Sequence, residues 1–162
     1  MKKIKLTKNK YSIISDSDYR KVSQHIWHLS NGYATYQKYD RITKKTQTWY
    51  LHWDIIGKPN KGYNVDHING DRLDNRRSNL RICTAAENMR NRKLNKDNTS
   101  GFKGVVFYKV LNKWGSGIKF NGKFHYLGLF ITKEEAAEVY NKKAKELHKQ
   151  FAKLNIITKH KE

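Results

Sequence analysis

Two Thr-x-x-Glu boxes, Thr84-Ala85-Ala86-Glu87 and Thr132-Lys133-Glu134-Glu135, each follow a short strand-like run and constrain what this chain can fold into. In such a box the Thr hydroxyl accepts from the backbone N–H three residues on. The Glu carboxylate reaches back to the Thr N–H, so two orphan donors are satisfied and a helix begins. The first box follows Leu80-Arg81-Ile82-Cys83, whose alternation reads as a strand. The second follows Lys123 to Phe130, which Asn121-Gly122 turns back against Trp114 to Phe120 as a two-residue hairpin. The expectation is an α+β fold with two separate sheet-and-helix modules.

The hairpin fixes a register in which Phe120 faces Lys123, Lys119 faces Phe124, Ile118 faces His125 and Gly117 faces Tyr126. Gly104 to Tyr108 supplies a third strand. The second helix carries an apolar stripe, Ala136, Tyr140, Ala144, Leu147 and Phe151. It should cover the Ile118 side of the sheet and leave the Lys119 and Tyr126 side open to a partner. Nearer the start, residues 1–14 read as a hairpin and Ser15 as a helix start running to about Val22. Ile26-Trp27 reads as core. Tyr33 to Tyr39 and Thr46 to His52 read as paired strands whose aromatics either pack the sheet or stack on bases. Arg90 to Gly101 is basic and Asn-rich, with little to bury. It is either a solvated linker or an arm that follows a phosphate backbone.

Charge narrows the partner. Lys and Arg total 34 against 14 Asp and Glu, a formal net charge of +20 over 162 residues. That balance points to a polyanion, with nucleic acid first; charge and aromatics alone leave RNA as a rival to double-stranded DNA. No apolar run approaches the length of a membrane span, so no membrane is expected. The N-terminus lacks the apolar core of a secretory signal, and the expected location is the cytoplasm of a bacterial or phage-infected cell. Cys83 is the single cysteine, which excludes an intrachain disulfide and a Cys-rich zinc site. Core packing is its expected role, and a structural role is likewise expected of His52.

The chemistry concentrates between Val65 and Asn88. Asp66 and His67 are adjacent, so on a strand they leave from opposite faces. Asn69-Gly70-Asp71 is turn chemistry, and the capped helix presents Asn88 one turn in. Asp66 and Asn88 can both offer an oxygen to a hard cation that keeps its other positions for water and phosphate. His67, neutral near pH 7, can take a proton from water. A cation and a base together are what phosphodiester hydrolysis requires. Arg76, Arg77 and Arg81 are either phosphate clamps or solvated surface charge. An Asp-His pair alone would read as a surface turn; the whole set, Asp-His-Ile-Asn-Gly-Asp, Asp-Asn-Arg-Arg-Ser-Asn-Leu-Arg and Glu-Asn, resembles the HNH homing endonucleases with a ββα-metal active site. The resemblance implies Asp66 and Asn88 as ligands of one Mg²⁺ or Mn²⁺, and His67 as the activator of water. It also implies Asn79 as the residue that pins the loop and orients His67.

A second resemblance lies downstream. Gly104-Val105, Lys113-Trp114, Ile118-Lys119, Tyr126-Leu127-Gly128-Leu129-Phe130 and Glu134-Glu135-Ala136-Ala137 are similar to the AP2 DNA-binding domain. It implies DNA reading by Lys103, Lys119 and Tyr126 on the open sheet face, while Val106, Gly117 and Phe124 stand where the plant members carry Arg or Glu. With Arg90, Arg92, Lys93, Lys113 and Trp114 these complete the expected DNA contacts. The expected organisation is a β-rich region over 1–44 packing on a ββα core over 45–93, a basic linker over 94–101, and a sheet-and-helix module over 102–162. The expected activity is a free-standing metal-dependent DNA endonuclease acting as a monomer or weak dimer. The alternative is a non-catalytic AP2-like DNA-binding regulator.

Overall fold

A computed structural model describes residues 1–158; the last residues of the module expected over 102–162 lie outside them. The fold is α+β, with several small antiparallel sheets and a few helices. The chain divides into two compact units, Met1–Asn88 and a second that begins at Met89.

The first unit opens with the hairpin of β1 (Lys2–Lys5) and β2 (Tyr11–Ile14). A 3₁₀ turn at Asp16–Asp18 leads into α1 (Tyr19–Val22). Ser15 makes no side-chain cap there; its hydroxyl instead accepts from the Arg77 backbone N–H at 3.1 Å. Of the expected core pair only Trp27 turns inward, its indole N–H donating to the Val22 carbonyl at 2.8 Å, whereas Ile26 is 80% exposed. Then come β3 (His28–Ser30), β4 (Tyr33–Asp40) and β5 (Lys45–Tyr50), in sheet order β3-β4-β5.

The strand expected to run to His52 stops at Tyr50, and Leu51–Ile56 is a helix, α2. Leu51 and Ile55, one turn apart, are both buried in the core. Trp49 Nε1 also donates to Asp54 Oδ1 at 2.8 Å, bridging strand and helix. Next are β6 (Tyr63–His67) and β7 (Leu80–Thr84), antiparallel, with Asp66 opposite Arg81 and His67 opposite Leu80. α3 (Ala85–Arg90) follows at once. Ile4, Ile14, Trp27, Leu51, Ile55 and Leu80 belong to one apolar cluster, so hairpin, sheet, helix and the β6–β7 unit share a core.

In the second unit, β8 (Val105–Tyr108), β9 (Lys113–Phe120) and β10 (Lys123–Phe130) form a sheet in the order β10-β9-β8. The Asn121-Gly122 register is as expected up to Tyr126, where it shifts before Gly128. α4 (Lys133–His148) is capped by its box, with Glu135 N donating to Thr132 Oγ1 and Thr132 N to Glu135 Oε2, both at 3.2 Å. Its Tyr140 and Ala144 pack on Ile118. Lys119, Phe124 and Tyr126 lie on the opposite, exposed face.

Three details differ from the sequence reading. Trp114 shares strand parity with Ile118, so it stands on the helix side, against Val105, Ala136 and Ala137, and not on the open face. Lys103 donates its ammonium to the Arg90 and Arg92 carbonyls at 2.5 and 3.2 Å, and burial lowers its pKa. The end of the expected linker is fastened: Ser100 is buried, its hydroxyl 2.9 Å from the Phe102 and Val105 carbonyls, and Gly101 N donates to Asn98 Oδ1 at 2.7 Å.

Gly104 is where this unit tolerates least. Its φ is +75°, and an added Cβ would meet a Tyr140 ring carbon at 2.1 Å and the Gly117 carbonyl at 2.6 Å. Gly122, with φ +79°, has open space around it. Gly104→Ala should therefore lower stability by about 2–4 kcal/mol, from overpacking and left-handed backbone together, and Gly122→Ala by only about 1–2 kcal/mol. Urea denaturation of the two variants checks this; equal losses would contradict the packing described.

Candidate active site

The loop between β6 and β7 is built by side chains that replace a ladder. Asn79 is buried; its Oδ1 accepts from Asn69 N at 2.9 Å, and its Nδ2 donates to Asn69 Oδ1 at 3.0 Å and the Asp74 carbonyl at 2.7 Å. Asn69 Oδ1 also accepts from Asp71 N at 2.8 Å, an Asx turn, with Gly70 at φ 78°. Strand β2 supports the loop from behind, Ile13 N donating to the Leu73 carbonyl at 2.8 Å and Asn75 N to the Ile13 carbonyl at 2.7 Å.

Asp66 and His67 leave β6 in opposite directions. Asp66 Oδ2 accepts from Arg81 Nε and Nη2 at 2.8 and 2.6 Å. Its carboxylate lies in the surroundings of Cys83, a core residue whose thiol burial and that charge push up to about 11. His67 Nε2 lies 3.0 Å from Asn75 Oδ1. Its ring centroid is 5.4 Å from that of His52 and 6.1 Å from that of Tyr33. Asp66 and His67 are each only 5% exposed. Arg81 covers Asp66, and aromatic rings lie against His67.

Burial lowers the His67 pKa, opposed by the Asn75 hydrogen bond and by the charges of Asp66, Asp71 and Asp74. The ring is thus neutral at pH 7. Desolvation, with the neighbouring His67, takes His52 down to about 3. Asn88 stands on α3, whose box is formed: Glu87 N donates to Thr84 Oγ1 at 3.3 Å and Thr84 N to Glu87 Oε2 at 2.8 Å.

The arginines expected at phosphates are otherwise engaged. Arg76 pairs with Asp74 at 2.6 Å, Arg77 with Asp18 at 2.7 Å, and Arg81 with Asp66 at 2.6 Å; each carboxylate side chain is 4–5% exposed. A buried carboxylate needs such a partner more than a surface arginine needs a phosphate. In the second unit Arg90 lies over the Phe120 ring at 5.0 Å, and Arg92 and Lys93 line one depression with Lys103. Lys113, Lys119 and Tyr126 are exposed on the sheet. Asn75 and Ser12 carry no site role in the sequence reading, and Asn69 only that of a turn residue. Asn75 sits within the quoted Asp-Asn-Arg-Arg run, but its partner Ser12 is remote in sequence, and local spacing cannot reveal it.

Among the described residues no group of three or more His, Cys, Asp or Glu could hold a metal ion. A carboxylate and a carboxamide, Asp66 and Asn88, are hard oxygen donors. They fit only a cation that keeps most of its shell as water and phosphate. Arg81 already places positive charge on that carboxylate.

β6, the loop, β7 and α3 thus form a strand–loop–strand–helix unit that carries Asp66, His67 and Asn88. Residues 56–90 match the family model described as HNH endonuclease. The chain is 34% identical to Protein 3.8 of Escherichia phage T7 over 118 residues, 72% of this chain and 97% of that protein. It is 33% identical to the uncharacterized HNH endonuclease L560 of Acanthamoeba polyphaga mimivirus over 151 residues, 93% of this chain and 77% of that protein. No solved structure matches significantly. The chain belongs to the HNH endonuclease family and is a nuclease. No helix among the described residues is long and apolar enough to cross a membrane.

The buried, neutral His52 sets an acid limit on the fold. Because its folded pKa, about 3, lies below the ordinary histidine value of 6.5, its contribution is complete above pH 6.5 and is lost as pH falls toward 3. Stability should fall through that window, and His52→Gln should remove up to about 1.4 kcal/mol per pH unit of the slope. Denaturation midpoints between pH 4 and 7 measure it; an unchanged slope would contradict the assignment.

Proposed function

We propose that the protein is a metal-dependent DNA endonuclease of the free-standing, homing type. The observation that carries this reading is the contiguity of the site. β6, the Asn79-pinned loop, β7 and the capped α3 hold Asp66, His67 and Asn88 in the stretch that matches the family model. Asp66 and Asn88 would hold one Mg²⁺ or Mn²⁺. Bound there, such an ion supplies charge stabilisation at the phosphate and the departing oxygen. His67 takes the proton of the attacking water, a task that suits a neutral imidazole and is typically worth about 10²–10⁴-fold in rate. Asn79 keeps the loop closed while DNA is held. The products carry 5′-phosphate and 3′-hydroxyl ends. One chain has one site, so a monomer or weak dimer nicks before it linearises.

The second unit docks DNA through its AP2-like sheet. Lys113, Lys119 and Tyr126 face outward beside Phe124, and a three-stranded sheet is narrow enough for a major groove. Arg90, Arg92 and Lys93 precede it as a basic stretch along phosphates, where counterion release favours binding at little folding cost. Arg76, Arg77 and Arg81, paired with carboxylates, contribute through the part of each guanidinium left outward. Lys103 and Trp114 act from behind the face, holding its shape.

Supercoiled plasmid incubated with the protein tests the reading. Open circles should form before linear DNA with Mg²⁺ or Mn²⁺, EDTA should prevent them, and new ends should accept label only after phosphatase treatment. DNA left intact with both ions would instead favour the DNA-binding regulator.

A further inference from the structure

A line of buried hydrogen bonds runs from the backbone of the site loop, through strand β2, to the ring of His67. Ser12, with no exposed surface, donates its hydroxyl to the Leu73 carbonyl at 2.9 Å. Asn75, 1% exposed, donates Nδ2 to Ser12 Oγ at 2.8 Å and to the Arg72 carbonyl at 3.3 Å. Asn75 Oδ1 then meets His67 Nε2 at 3.0 Å.

The polarity of this line is set at one end. A backbone carbonyl can only accept, so Ser12 must give its single proton to Leu73. The Ser12 oxygen is left to accept, which requires the NH₂ side of Asn75 to face it. The Arg72 carbonyl, again an acceptor only, demands the same orientation of the amide. Asn75 therefore turns its oxygen toward His67. An oxygen against a ring nitrogen is favourable only if that nitrogen carries hydrogen, and a neutral imidazole has one N–H.

We infer that the Leu73 carbonyl, acting through Ser12 and Asn75, holds His67 as the Nε2–H tautomer and makes Nδ1 the nitrogen that receives the proton of the attacking water. Ser12 and Asn75 are positioning residues in this account; neither touches substrate. The opposite tautomer would set two lone pairs against each other between residues 5% and 1% exposed, and an unmade buried hydrogen bond there is costly. The N-terminal hairpin thus becomes part of the catalytic unit, because Ser12 belongs to β2 and its neighbour Ile13 is bonded on both sides to the same loop, through the Leu73 carbonyl and Asn75 N. This inference rests on His67 being the base.

The tautomer is read directly by two-bond ¹H–¹⁵N correlation spectra of the full-length, ¹⁵N-histidine-labelled protein at a pH where the ring is neutral. His67→Gln identifies the signal. The wild type should show His67 protonated at Nε2. Ser12→Ala leaves the Asn75 amide only its longer 3.3 Å bond to the Arg72 carbonyl, and should give a mixture of tautomers and a single-turnover cleavage rate lower by about 10–100-fold, the usual loss for a removed supporting partner. Ser12→Thr, which keeps the hydroxyl, should restore both. A wild-type ring protonated at Nδ1, a measurement that needs no variant to fold, would overturn the inference. So would a Ser12→Ala protein that keeps a pure Nε2–H ring and the full rate. If the spectra follow expectation but neither wild type nor variants cut DNA, the relay stands and the role of His67 as the hydrolytic base fails.

Discussion

The carboxamide of Asn79 closes the loop on which the site depends. It takes a backbone N–H from Asn69 and gives its own hydrogens to Asn69 Oδ1 and the Asp74 carbonyl, while its main chain accepts from Ile68 N at 2.9 Å. Without those bonds a stretch of loop backbone would face a partly dry interior with its polar groups unmade, which is costly. With them, the loop has one conformation. Asp74 is then fixed for Arg76, Asn75 for His67, and Leu73 for β2. The relay to His67 is a consequence of this closure, since Asn75 can aim its amide only if its own backbone is held.

Electrostatics follows the same logic. Asp18, Asp66 and Asp74 are buried, and each takes one arginine as its partner. An ionised carboxylate without one would be strongly unfavourable. The arginines nearest the site therefore serve structure first. In the proposed function, attraction for DNA falls mainly to the remaining cations of a chain carrying a net +20, among them the exposed Lys113 and Lys119 on the sheet of the second unit. The histidines divide differently. His52 and His67 stay neutral because burial penalises their charged forms, and neutrality is what a base in water activation needs.

Much of this architecture was legible in the chain. Both capping boxes form, and Asn121-Gly122 sets the expected register, because these signals are local and their partners lie within a few residues. The bulge after Tyr126 and the helix at Leu51–Ile56 were not legible, since each follows from packing on a distant element. Strand parity alone places Trp114 with Ile118 on the helix side; chemical character, basic or aromatic, pointed the other way. The loop-pinning role that family resemblance gives Asn79 corresponds to the bonds described. The residue against His67 is Asn75, whose amide is oriented by Ser12. No spacing rule connects those positions, and only the fold brings them together.

At the centre stands the claim that His67 is the group that removes the proton. Single-turnover cleavage by His67→Ala, with DNA affinity measured on the same preparations, tests it most directly. The rate should fall by about 10²–10⁴-fold while affinity stays within about twofold, since the ring is buried and the proposed docking sheet belongs to the second unit. A variant that cuts at the wild-type rate, or one that loses affinity in proportion to rate, would contradict the account.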